Sequence, residues 1–268
     1  MIAAIDPGNR RTKYAGLQQR PFVFPSAIGV NDLARNLKRE TGPYDFEWEY
    51  EGKCGFAGTL ALEESEYVES RKDDSKAHFD AKLRTLIALH RFGAGHEFDI
   101  VVGQPIETHT EAEKTTIKRM YVGRHDLTIN GQRKVITINR CEVSPEGAAA
   151  GLLVAPNTGM IRVIDIGSGS VNFATIIDRK FNNRGSWTFT EGMESKRDLQ
   201  PAAFARQIAS KAINRKWAST DKVYLVGGGA LELYPFLQEY LQHAQLIDDD
   251  PCTANVRAFL MIARRVYG

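Results

Sequence analysis

Two stretches of the chain carry the same device. In residues 161–177, IRVIDIGSGSVNFATII, an apolar run ends in Asp165 and a tight Gly167-Ser168-Gly169 turn follows. A second run then opens in which Val171, Phe173 and Thr175 alternate with more permissive positions. The pattern predicts strand, turn and strand, a hairpin whose tip carries a carboxylate and several unencumbered backbone N–H groups. The first residues, IAAIDPGNRRTKYA, repeat it: Asp6 aligns with Asp165, Gly8 with Gly167 and Asn9 with Ser168. Two such hairpins can face each other across a cleft, and a polyphosphate with its metal is the natural guest between them.

The 268 residues are enough for two modest domains. The boundary is expected near 140–160, where the second copy begins, which divides the chain into 1–150 and 151–268. Hydrophobic content of 43%, charged content of 25% and a formal charge of only +2 describe an ordinary globular chain and give no case for wholesale nucleic-acid or membrane binding. Cys54, Cys141 and Cys252 are far apart and odd in number. They suit a reducing compartment better than a disulfide framework or a zinc site. No apolar run approaches the roughly 18 residues of a membrane span, and the first strand starts at once, leaving no room for a signal peptide. A cytoplasmic protein is expected.

Along the chain, Phe46, Trp48 and Tyr50 alternate with acidic residues and predict a hairpin over 45–56, and Asn130-Gly131 marks another over 126–138. Residues 60–75 are strongly charged and read as a solvated loop or exposed helix. Helices are expected over 79–90, with His90 at the core edge, over 110–119, over a basic-faced 204–217, over 231–241 and over 253–266. Ser144-Pro145-Glu146 reads as a helix start, with Ser144 as cap, Pro145 at the first helical position and Glu146 in the first turn. Residues 222–226 form a buried strand running into Gly227, Gly228 and Gly229, so that a ligand can lie against bare backbone.

These pieces imply one site. Backbone N–H groups around Gly8, Asn9, Arg10 and Arg11, and around Gly167, Ser168, Gly169 and Ser170, suit phosphate oxygens, with Lys13 or Arg10 as the cation. Asp6 and Asp165 suit a metal or its waters. Glu146 is the best-placed group to orient a water in line with a terminal phosphate. The chain has neither GxxxxGK[ST] nor, after its first strand, GxGxxG, so neither a P-loop nor a dinucleotide fold is indicated.

In these motifs the chain resembles the actin, Hsp70 and sugar-kinase superfamily of ATPases, and within it the bacterial actin-like plasmid-segregation proteins of the ParM (StbA) kind. The carrying residues, in family order, are Asp6-Pro-Gly-Asn-Arg-Arg-Thr-Lys13, Phe24-Pro-Ser-Ala-Ile-Gly29, Val101-Val-Gly-Gln-Pro-Ile106 and Pro145-Glu-Gly147. After them come Asp165-Ile-Gly-Ser-Gly-Ser170, Val226-Gly-Gly-Gly-Ala230 and Ala254-Asn-Val-Arg-Ala-Phe259.

The resemblance implies an α/β actin-like fold, with two ribonuclease H-like domains around a nucleotide cleft. It implies ATP or GTP with Mg²⁺, held through Asp6 and Asp165, and Glu146 as the hydrolytic residue. It also implies nucleotide-driven homopolymer filaments that move plasmid DNA through a DNA-binding adaptor, without a membrane and without direct DNA contact as the expected mode. Only about 30 residues separate the strand near Thr190 from that at Lys222, where longer relatives carry a small subdomain. That subdomain is therefore expected to be reduced or absent between 192 and 220, as in the short AlfA type, with Met193, Lys196 and Arg197 covering part of the base or ribose. The competing expectations are a small-molecule kinase of the same superfold, similar to type III pantothenate kinase, and a non-hydrolysing scaffold that binds nucleotide to fix its shape.

Overall fold

In the computed structural model, residues 1–30, 42–65, 75–195 and 198–268 are described. The first copy of the hairpin is β1 (Ile2–Pro7) and β2 (Arg11–Gly16), antiparallel with Asp6 opposite Lys13, and β3 (Phe22–Pro25) adds to β2. β4 (Asp45–Tyr50) and β5 (Lys53–Gly58) turn through Glu51 and Gly52, both at positive φ. Phe46, Trp48 and Tyr50 are buried while Glu47 and Glu49 are exposed, as the alternation requires.

The short helix α1 (Thr59–Glu64) is followed by α2 (Phe79–Phe92), which His78 caps by accepting from Ala81 N. Then come β6 (Glu97–Gln104) and α3 (Glu111–Tyr121), capped by Thr110. β7 (Gly123–Ile129) and β8 (Gln132–Pro145) are joined by Asn130 and Gly131 at φ 50° and 73°, the two left-handed residues a tight hairpin needs.

These eight strands form one sheet in the order β3-β2-β1-β6-β8-β7-β4-β5. The sheet curls until its edges touch, with Gly29 N donating to Phe56 O (2.9 Å) and Gly58 N to Ala27 O (3.0 Å). α2 and α3 supply Leu83, Leu86, Ile117 and Tyr121 to the apolar core of this half-barrel, against Ile5, Phe98 and Val102.

Beyond it lie α4 (Ala148–Gly151), β9 (Met160–Ile166), β10 (Val171–Ile177), β11 (Lys180–Phe181) and β12 (Trp187–Phe189). The chain continues through α5 (Pro201–Asn214), β13 (Val223–Val226), α6 (Ala230–Leu237), β14 (Ala244–Leu246) and α7 (Ala254–Tyr267). The second sheet is ordered β11-β10-β9-β13-β14, with β12 also paired to β10. One of its faces packs Ile164, Phe173 and Leu225 against Phe204 and Ile208 of α5 and Leu233 of α6. The other packs Val163, Ala174 and Val226 against Ala148 and Ala150 of α4 and Ala254 of α7. α7 then runs on to the first sheet, where Val256, Phe259 and Ala263 meet Ala4, Ala15 and Val101.

One expected element does not form as read. Ser144 and Pro145 do not open a helix; they extend β8 beside Gly103 and Gln104 of β6, and Glu146 N donates to Gln104 O (2.9 Å). Cross-strand pairing with a segment forty residues away overrides the local capping signal. Gly147, at φ 73°, turns the chain, and the helix begins only at Ala148. Of the charged stretch, 66–74 lies outside the described residues. Between β12 and β13 the described residues contain one helix, α5, and none of the described helices is long and apolar enough to cross a membrane.

Candidate functional site

β1 and β9 each end in a carboxylate at the mouth of a glycine turn, and the two turns meet. A Cβ on Gly169 would lie 3.4 Å from Asn9 Nδ2, so the tips of the two hairpins touch. Asp6, Asp165 and Glu146 are 3%, 4% and 8% exposed. Three carboxylates this deeply buried are unusual and need partners. Asp6 Oδ2 accepts from Lys13 Nζ at 2.7 Å, its register partner on β2. Asp165 Oδ2 accepts from Asn255 Nδ2 at 2.8 Å, while Asn255 Oδ1 accepts from Gly147 N at 2.8 Å. Asn255, in the first turn of α7, thus fixes both the second carboxylate and the turn that carries Glu146. Glu146 differs from the other two: its Oε1 has no hydrogen-bond partner, and neither has Asn9 Oδ1.

The electrostatics follow the burial. Burial drives the Glu146 carboxyl up to about 7, with Lys76 and Lys13 opposing and Asp6 and Asp165 adding to it. Asp165 is likewise raised by burial and by Asp6, against the hydrogen bonds of Asn255 and Asn172 and the charge of Lys13. Burial disfavours the Lys13 cation, but Asp6 and Asp165 more than reverse this, so its ammonium titrates above its ordinary value and stays charged.

The loops around the carboxylates are braced. Ser26 Oγ donates to Gly8 O (2.6 Å) and Ser26 N to Arg10 O (3.0 Å), so the Phe24-Pro25-Ser26 segment holds the first turn. Met193 N and Glu194 N donate to Gly167 O and Ser168 O, bracing the second. The turn amides of Asn9, Arg10, Ser168 and Gly169 meet no acceptor among the described residues. The three glycines after β13 have distinct surroundings. Gly227 sits at φ 90° with the position of a Cβ 2.5 Å from Asp165 Oδ1, and that of Gly229 is 2.8 Å from Met193. Gly228 faces open space.

Several expected site residues therefore converge: Asp6, Gly8, Asn9, Lys13, Glu146, Asp165, the turn at 167–170 and Gly227–Gly229. Arg10 is engaged elsewhere, in an exposed ion pair with Glu194 (2.8 Å), and Arg11 is exposed at the start of β2. Met193 packs on Gly229, while Lys196 and Arg197 lie outside the described residues. The sequence reading quoted Gln104 and Asn255 within its motifs without giving either a place in the site, and it did not single out Asn172 or Lys76. Asn255 had a visible signal, a polar residue beside Val256 on the inward face of an apolar helix; Lys76 had none, being the last residue of a charged run. A separate open groove of about 850 Å³ lies along α5, lined by Phe189, Arg206, Lys211 and Tyr240 among others.

Residues 4–148, more than half of the chain, match the family model described as the N-terminal domain of actin-like proteins. The chain belongs to the actin-like protein family. No curated protein matches it by sequence. Its fold is that of solved actin-like structures at low identity. An AlfA filament bound to AMPPNP superposes with a TM-score of 0.79 at 18% identity, covering 100% of this chain and 99% of that one. AlfA from a Bacillus subtilis plasmid, also a filament, gives 0.79 at 20% identity over 97% and 98% of the two chains. An archaeal actin homologue gives 0.80 at 18% identity over 98% and 99%. At these identities the likeness is one of fold. The half-barrel first sheet and the cleft at the two hairpins are this actin-like chain's version of it.

Two observations test whether a nucleoside polyphosphate with Mg²⁺ fits the actin-like cleft. Orphaned buried oxygens, Glu146 Oε1 and Asn9 Oδ1, lie at the hairpin turns whose amides have no acceptor among the described residues, and Gly228 presents bare backbone to open space. Among the described residues no three His, Cys, Asp or Glu side chains cluster as a ready-made cage. Two buried carboxylates, Asp6 held by Lys13 and Asp165 by Asn255, suit a hard cation that keeps waters and leans on phosphates. The residues fit.

Proposed function

We propose that this chain is a nucleotide-dependent, filament-forming actin-like protein that binds and hydrolyses ATP with Mg²⁺ and segregates plasmid DNA through a DNA-binding adaptor in the cytoplasm. The observation that carries the reading is the third carboxylate. Glu146 is buried beside two matched hairpin turns with an oxygen that nothing in the described chain satisfies, which is the state expected of a group that awaits a water and a phosphate. AlfA, a filament bound to AMPPNP, shares the fold along the whole length and supports the nucleotide and the polymer.

In this reading residues 1–150 and 151–268 are two ribonuclease H-like domains. The subdomain of longer relatives, between 192 and 220, is reduced to the segment containing α5. The amides of Asn9, Arg10, Ser168 and Gly169 and the Lys13 ammonium take phosphate oxygens. Asp6 and Asp165 would hold Mg²⁺ or its waters, and the nucleoside would lie along Gly228. Mg²⁺ supplies neutralisation of charge on the transferring phosphoryl group. Glu146 orients the attacking water and takes up its proton, a task suited to a carboxyl that titrates near 7.

The test pairs right-angle light scattering with phosphate release under Mg-ATP, for the wild type and for Glu146→Ala. Scattering is expected to rise above a threshold protein concentration, and phosphate release to fall about 100-fold or more in the variant with nucleotide binding retained. Turnover that appears only when a small acceptor is added, without scattering, would transfer the protein to the kinases of this superfold.

A further inference from the structure

Lys76 is 5% exposed, yet no acceptor meets its ammonium among the described residues. It forms no direct ion pair with Glu146, although its charge acts on that carboxyl more strongly than any other neighbour's. Both side chains are more than nine-tenths buried, Glu146 Oε1 has no hydrogen-bond partner and no described residue takes a bond from the Lys76 ammonium, so opposite charges lie close together with room for a ligand to pair with both.

Their placement is built rather than incidental. Gln104, fully buried at the end of β6, accepts Glu146 N on its main-chain oxygen (2.9 Å) and Lys76 N on its side-chain Oε1 (3.0 Å). Its Nε2 donates to Thr108 Oγ1 at 2.7 Å, so the amide cannot turn away without losing a partner. Ser75 Oγ donates to Glu113 on α3 and accepts from Ala77 N, which fixes the backbone on either side of Lys76. One residue therefore sets the positions of the hydrolytic carboxyl and of a buried cation together.

We infer that Lys76 is a nucleotide-binding residue that meets the terminal phosphate from the side of Glu146, and that it distinguishes triphosphate from diphosphate. The inference rests on the nucleotide reading above. Lys13 gives one of its three donors to Asp6 at 2.7 Å and lies at the first hairpin, whereas Lys76 has all of its donors for a ligand on the Glu146 side. A terminal phosphoryl group seated between Lys76 and the water held by Glu146 satisfies both side chains. Loss of that group removes the charge-assisted bond that Lys76 makes to the terminal phosphate, so the diphosphate complex is the less favourable one.

The experiment is displacement of a fluorescent ATP analogue by ATP, AMPPNP and ADP from the wild type, Lys76→Met and Lys76→Arg, in Mg²⁺. Methionine conserves bulk in the buried site, and ADP binding serves as the folding control. The expected result is an ATP and AMPPNP affinity about ten- to a hundredfold lower in Lys76→Met. ADP affinity should stay within about twofold, and Lys76→Arg should recover part of the loss. Equal loss for triphosphate and diphosphate, or no loss for either, overturns the assignment of Lys76 while leaving nucleotide binding intact. Failure of the wild type to bind any of the three overturns both readings together.

Discussion

At the scale of single residues, the unusual feature is the protonation of Glu146 rather than its presence. In the nucleotide-free protein the folded state holds its proton up to about pH 7, whereas an unfolded chain releases it near 4.5. The folded state thus binds the extra proton throughout that window, and stability contributed by this group is full below pH 4.5 and is lost as pH rises through 7. Glu146→Gln cannot ionise. Urea unfolding without nucleotide should therefore show the variant gaining on the wild type by roughly 1–3 kcal/mol between pH 5 and pH 8. A difference that does not change with pH would mean that burial of Glu146 is relieved in solution. The same residue shows where sequence reading stops. Its candidacy was readable from Pro145-Glu146-Gly147, but its setting was not, because its backbone and Lys76 are placed by Gln104, and burial of this kind is a property of distant contacts.

At the scale of elements, the glycines after β13 divide the work. Gly227→Ala would put a methyl 2.5 Å from Asp165 Oδ1 at a φ of 90°, and should cost about 1–3 kcal/mol in urea unfolding while disturbing the carboxylate. Gly228→Ala meets nothing within 4 Å, and should leave unfolding within about 1 kcal/mol of wild type while weakening ATP binding in a titration. If the two variants behave alike, the nucleoside does not lie there. Elements whose cause is local were readable in advance: both Asp-x-Gly hairpins, the Asn130-Gly131 turn and the α2 periodicity. The helix expected at Ser144 failed because β6 continues to pair with β8 through Pro145, and no window of nearby residues reports that partner. The helix expected to reach 217 stops at Asn214, after which Trp217 folds back to stack edgewise on Phe173 and Trp187.

At the scale of the whole molecule, α7 is the element both sheets share. Its first residue packs with the second sheet, its later turns cover Ala4, Ala15 and Val101 on the first, and Asn255 reaches into the site between them. A chain ending at residue 252 should lose cooperative urea unfolding and bind a hydrophobic dye, because apolar faces of both sheets lose their cover. A sharp transition in that chain would show that either sheet closes its core alone.

The position of α7 also sets a schedule on the ribosome. β1 and β6 emerge early, but α7, which covers their outer face, begins about 150 residues after β6 and about 250 after β1, so β6 waits roughly eight to thirty seconds at usual elongation rates. Until then the nascent chain carries an open apolar surface and an unassembled cleft. If the chain polymerises as proposed, growing filaments can recruit only molecules in which α7 has emerged and docked, and subunit supply is gated by translation of that helix.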